Sequence, residues 1–257
     1  MSRNFFQRSS LLLWLSIVIS FSAWQCKSHV KYGTLDNKSV DQTAANNAIN
    51  DSIIKPYKIE KDKQMNIVLN TAESDMESGR PESKLGNLIT DLSMEIANSY
   101  YQPSDGLEID LCLMNNGGLR TSIPKGPITM GLAFEVMPFE NQLVVLTLSS
   151  DKIYELFEYV AQKGGDPISH ASLGIYKGSP VNILINGQAF ESDRNYKVLT
   201  TDYLSRGGDK MNFFFEPVNY ELVGIKLRDA MIEYFENMAS RNKTINAKID
   251  GRIYYEQ

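Results

Sequence analysis

The chain has 257 residues, 42% of them hydrophobic and 22% charged, and a formal net charge of −5. Such a composition excludes a collagen, a low-complexity tail and a polytopic membrane protein, and an acidic chain has no global field for gathering a nucleic acid polymer. It has two Cys and two His. Cys26 and His29 belong to the N-terminal segment, so Cys112 and His170 alone serve the body, too few for a disulfide framework or a Cys/His zinc site.

Residues 1–10 carry Arg3 and Arg8 and no acid, and Leu11 to Phe21 is an almost unbroken apolar run. The run falls short of the about 20 residues that a membrane span needs. A positive start followed by a short apolar stretch reads as a secretory signal peptide over residues 1–25. Ala23-Trp24-Gln25-Cys26 follows it and resembles a bacterial lipoprotein cleavage site, with Cys26 as the lipidated residue, although Gln25 stands where a small residue is usual. Residues 26–51 are polar and without a helical or strand period, which suits a flexible tether. This predicts a lipid-anchored protein of the bacterial cell envelope, periplasmic or at the outer membrane.

Residues 52–257 are long enough for one domain with a sizeable core. Met65 to Leu69 reads as a strand. Leu85, Leu88, Ile89, Leu92 and Ile96 recur at helical spacing and predict an amphipathic helix from Ser83 to Ser99. Strands are predicted at Leu107–Met114 and Gln142–Leu148. Ser150 is the expected cap of a helix whose apolar face is Ile153, Leu156, Phe157, Val160 and Ala161. Val181–Ile185 and Tyr196–Thr201 read as strands separated by a turn at Asn186-Gly187. A helix is predicted from Leu222 to Ala239, and Arg252–Tyr255 as a strand that closes the sheet. Helices and strands in this irregular order predict an α+β fold, a single domain with a mixed β-sheet and packed helices.

Three loops break the pattern of the strands beside them. Asn115-Asn116-Gly117-Gly118-Leu119-Arg120 pairs glycines, which admit a ligand close to the backbone, with an Arg whose planar fork suits a phosphate or carboxylate. Met137-Pro138-Phe139-Glu140-Asn141 holds an aromatic in a stiffened loop, as a stacking plate for a base requires. Thr200 to Lys210 carries Tyr203 and then Gly207-Gly208-Asp209, whose carboxylate can accept both hydroxyls of a ribose. Each loop alone also fits a plain structural reading: a Gly-rich connection with a surface Arg, a core Phe, a turn with a capping Asp. Together they supply plates for a base, an acid for a sugar and a cation for a phosphate.

These loops, with Glu82-Ser83-Lys84-Leu85-Gly86-Asn87-Leu88, resemble in order and spacing the C-terminal, substrate-specificity domain of the 5′-nucleotidase and UDP-sugar hydrolase family, over about residues 60–257. The resemblance implies that Phe139 and Tyr203 sandwich the base, that Asp209 binds the ribose, and that Asn115 and Arg120 reach the phosphate end. Tyr203 stands where the family more often has Phe, and Lys210 replaces a usual Gly. The family often has a further phosphate-binding Arg just before the Glu82 motif; Pro81 takes that place, so Arg80, one residue away, is the substrate-binding candidate there.

Family members usually begin with a metallophosphatase domain that binds two divalent metals through clustered His, Asp and Asn. The 257 residues hold no Asp-x-His and no His-rich cluster. His170 reads as a structural or surface residue and Cys112 as an inert core thiol. No cofactor or catalytic residue is therefore expected in this chain, and the two metals are expected in a separately encoded metallophosphatase partner. The expected function is the nucleotide- or nucleoside-recognition subunit of a split envelope 5′-nucleotidase or UDP-sugar hydrolase; the alternative is a nucleoside- or nucleotide-binding lipoprotein with no hydrolytic role.

Overall fold

In the computed structural model the described residues are 48–257, so the signal peptide, Cys26 and all but the end of the tether lie outside them. The first described element is a helix, α1 (Ala48–Met65), which begins inside the segment read as tether and ends on Met65, the predicted first residue of the first strand. Pro56 within it reads as a breaker. Its Ile53, Ile54, Tyr57 and Ile59 are exposed, so no buried stripe announced the helix.

The next elements are β1 (Val68–Ala72), α2 (Lys84–Tyr100), β2 (Leu111–Leu113), β3 (Gly126–Thr129), α3 (Met130–Val136), β4 (Gln142–Leu148) and α4 (Ser150–Gln162). They are followed by β5 (Ile168–Ser169), β6 (Ala171–Tyr176), β7 (Ser179–Ile185), β8 (Gln188–Ala189) and β9 (Tyr196–Thr201). The short helix α5 (Asp202–Ser205), β10 (Asn219–Lys226), α6 (Leu227–Ser240) and β11 (Ile253–Tyr255) complete the order. Helix α2 starts where capping chemistry places it: Ser83 is extended and its hydroxyl accepts the Gly86 N–H at 3.1 Å.

The central sheet has five strands in the order β10-β4-β9-β2-β5. Strands β2 and β9 are parallel and the other neighbours antiparallel, so the sheet is mixed. Alternate residues of β2, β4 and β9 enter two different cores, one on each face. Leu143 and Val145 of β4 join Cys112 and Leu199 against α2 and α6. Val144, Leu146 and Leu148 join Leu111, Leu113 and Val198 against α4. Cys112 is fully buried, and burial pushes its thiol well above the ordinary range, as an inert core residue requires. Strands β11, β6, β7 and β8 form a separate sheet, and β1 pairs with β3.

Several expected boundaries moved. The strand predicted at Leu107–Met114 is ordered as β-structure only over Leu111–Leu113. Just before it, Asp110 meets Lys197 twice: its N–H donates to the Lys197 carbonyl at 2.9 Å and its Oδ2 accepts the Lys197 N–H at 2.7 Å. Ser149, not Ser150, occupies the cap position of α4, and Ser150 Oγ donates to the Ser192 carbonyl. The Asn186-Gly187 turn joins β7 to the two-residue β8, while β9 lies in the other sheet. The helix predicted from Leu222 starts at Leu227, because Asn219–Lys226 is the edge strand β10. Its Val223 and Ile225 are β-branched and alternate inward, a strand signal that helical spacing of the same apolar residues masks. Strand β11 pairs with β6 rather than closing the central sheet.

Candidate functional site

Strand direction brings the three loops to one edge of the central sheet. Parallel β2 and β9 end side by side, and antiparallel β4 begins there, with Leu143 opposite Thr201. The chain leaving β2 is therefore the Asn115–Arg120 loop, the chain leaving β9 carries Tyr203 and Asp209, and the chain entering β4 carries Phe139. Between them lies a cleft of about 330 Å³ lined by Asn115, Gly117, Gly118, Arg120, Phe139, Asn141, Tyr203 and Asp209, a size at the lower end of small-molecule sites.

Two of the lining residues are aromatic and unusually open. Phe139 is 41% exposed and Tyr203 48%, so both rings have surface left for a ligand. Asp209 is fixed from three sides: Asn115 Nδ2 donates to its Oδ2 at 2.6 Å, the Tyr203 hydroxyl to its Oδ1 at 3.1 Å, and the Tyr159 hydroxyl to its carbonyl at 2.9 Å. These contacts hold the residue at φ 53°, a left-handed conformation that costs an ordinary side chain about 1 kcal/mol or more. A carboxylate offers about four acceptor positions; two are used here, which leaves capacity for two more donors. Burial drives the Tyr159 hydroxyl up to about 12, so it stays a donor at neutral pH.

The glycines are dictated by these aromatics. A Cβ on Gly208 would stand 2.5 Å from the Tyr203 ring, and one on Gly207, at φ 84°, would stand 2.5 Å from the Phe215 ring. No residue but glycine fits either place without moving a ring. Among the described residues Arg120 reaches the Gly117 carbonyl alone, at 3.3 Å, which leaves most of its donors uncommitted there.

Arg80 is the one candidate that the structure does not bring to the cleft lining. Its Nε donates to the Gly165 carbonyl at 2.6 Å and its terminal nitrogen pairs with Asp166 at 3.1 Å. Asp166 is buried and also accepts from the Asn116 backbone and side-chain amides. Burial raises its carboxyl above the usual range against the pull of Asn116 and Arg80. Arg80 thus braces the loop that carries Asn115 and Arg120. The Glu82 motif is structural as well: Glu82 accepts from Asn87, Asp250 and Gly251, and ties the start of α2 to the C-terminal segment.

Sequence reasoning missed three residues that order the loops. Asp202 Oδ1 accepts the Gln142 N–H at 3.0 Å, which links the Tyr203 turn to the first residue of β4. Arg228 and Lys226 both pair with Glu140 next to Phe139. These partners are 60 to 88 positions apart in the chain, so no local pattern marks them. Asn141, which the loop motif leaves without a role, lines the cleft.

The family model for the 5′-nucleotidase C-terminal domain matches residues 63–216. The chain belongs to that family. A cell wall protein of Listeria monocytogenes is 29% identical over 197 residues, 68% of this chain and 24% of its own length. A 5′-nucleotidase of Vibrio vulnificus is 26% identical over 166 residues, 61% of this chain and 28% of its own. Among solved structures, a 5′-nucleotidase precursor from Thermus thermophilus superposes with a TM-score of 0.68 at 25% identity, covering 81% of this chain and 43% of that one. The domain of this family thus spans about a quarter of the curated relatives and under half of the solved chain. Among the described residues no group of three or more His, Cys, Asp or Glu is arranged to hold a metal ion.

Proposed function

We propose that this 5′-nucleotidase C-terminal domain is the nucleotide-recognition subunit of a split envelope 5′-nucleotidase or UDP-sugar hydrolase, whose hydrolysis is carried out by a separately encoded metallophosphatase. The observation that carries the reading is one cleft lined by two half-exposed aromatic rings and a carboxylate with spare acceptor capacity. A base stacks on Phe139 and Tyr203, each such contact being worth about 1–3 kcal/mol. The ribose hydroxyls donate to the free lone pairs of Asp209, and Asn115 already fixes that carboxylate. Arg120, with its donors free, meets the phosphate end. Arg80 supports that end through Asp166 and Asn116 rather than by direct contact. Cys26 anchors the chain at the envelope, a place that suits its likeness to a cell wall protein.

Rate assays with and without the partner test the split. The chain alone should leave AMP and UDP-glucose intact. Added to the purified metallophosphatase, it should raise hydrolysis well above that of the phosphatase alone and lower KM. Nucleoside binding with no gain in hydrolysis would contradict the split and leave the capture of nucleosides as the function.

A further inference from the structure

The loop that carries Phe139 is held by residues outside it. Arg228 projects from the first turn of α6 and is only 5% exposed. Its guanidinium carbon lies 4.1 Å from the Phe134 ring centre, so one face is covered by an aromatic of α3. Its terminal nitrogens face the loop: one lies 3.4 Å from the Met137 carbonyl and 3.5 Å from the Phe139 carbonyl, and the other pairs with Glu140. Lys226 meets the other carboxylate oxygen of Glu140 from the end of β10. Among the described residues the buried Arg228 Nε has no hydrogen-bond partner. Burying a guanidinium with one nitrogen unsatisfied is costly. A methionine or leucine would fill such a site more cheaply if packing were the purpose. What a guanidinium alone supplies is a planar fork that reaches Met137, Phe139 and Glu140 of one loop, on both sides of Pro138.

We infer that Arg228, with Glu140 as its counter-ion, is the positioning residue of the Phe139 plate, and that it sets the affinity of the cleft for the base rather than for the sugar or phosphate. This rests on the stacking reading given above. Arg228 itself is absent from the cleft lining, so it acts through the loop. A preordered plate avoids the cost of ordering Phe139 when a ligand arrives, and that cost falls only on ligands that have a base.

The test is calorimetric titration of the full chain and its variants with adenosine and with ribose 5-phosphate. Glu140→Gln changes a side chain that is 59% exposed, so the fold is retained while the grip of Arg228 weakens. It should lose adenosine affinity several-fold, and Arg228→Met about tenfold or more. Both should bind ribose 5-phosphate as the unaltered chain does. Arg228→Lys keeps the charge without the fork and should fall between. Amide exchange in residues 137–142 should quicken in the same order. The inference is overturned if Glu140→Gln and Arg228→Lys keep full adenosine affinity, or if every variant loses adenosine and ribose 5-phosphate alike. If the unaltered chain binds ribose 5-phosphate but not adenosine, the stacking reading itself is wrong, and this inference goes with it.

Discussion

Asp209 shows how one residue is fixed by its neighbours. Its left-handed backbone is anchored by Tyr159, and its carboxylate oxygens each carry one protein donor. Two vicinal hydroxyls match the remaining acceptors, and hydrogen bonds to a charged group are worth about 1.5–3 kcal/mol each. Asp209→Ala should therefore cost adenosine at least about tenfold in affinity and leave 2′,3′-dideoxyadenosine little changed. Equal losses for the two nucleosides, read by calorimetry, would show that the carboxylate orders the loop instead of binding the sugar. This much was legible in the sequence, because Tyr203, Gly207-Gly208 and Asp209 sit together where a strand pattern stops. The service of Gly208 to the Tyr203 ring was not legible, since a ring lying over a backbone is a matter of three-dimensional approach.

At the scale of elements, the cleft depends on loops braced by residues distant in sequence. Glu140 is held by Lys226 and then Arg228, which lower its carboxyl from the ordinary 4.5 to about 2. A depressed folded value means that the contribution of this contact is fully present above pH 4.5 and is lost as pH falls through about 2. The amide resonances of Phe139 and Glu140 should thus hold steady down to pH 4 and move only with a midpoint near 2, and Glu140→Gln should abolish the movement. A midpoint at the ordinary carboxylate value would mean that the contacts are not made in solution. Periodicity read α2, β4 and α4 correctly, since each has a full buried stripe or face. It failed where burial is partial. Strand β10 is an edge with Tyr220 and Leu222 exposed, and its apolar residues run into α6, so strand and helix merged into one apparent helix. No local pattern marks Arg228, because the groups packed on it, Phe134 of α3 and the Phe139 loop, are distant in the chain.

For the molecule as a whole, the central sheet must stay intact for the three loops to remain together. At the end of that sheet opposite the cleft, Lys197 of β9 is buried and reaches Tyr101 at 2.8 Å, Asp105 at 2.5 Å and Glu221 at 3.3 Å. The network joins β9, β10 and the segment that precedes β2. Lys197→Ala would leave Glu221 and Tyr101 without their cation, and breaking such a buried pair costs about 3–5 kcal/mol. Thermal unfolding should shift down by several degrees, with nucleoside binding retained below the new midpoint. An unchanged midpoint would show the network to be idle. The fold class was readable at this scale from the mix of helical and strand periods, whereas the division into three sheets was not, because sheet membership is set by pairing across the chain.

The central claim is that the cleft between Phe139 and Tyr203 receives a nucleoside, and one titration addresses it most directly. Adenosine should bind the full chain with one site. Tyr203→Ala should weaken that binding by about 1–3 kcal/mol, the worth of one stacked base, while Tyr203→Phe, which keeps the ring, should stay close to the unaltered chain. Adenosine binding that is indifferent to Tyr203→Ala would place the ligand elsewhere and contradict the account.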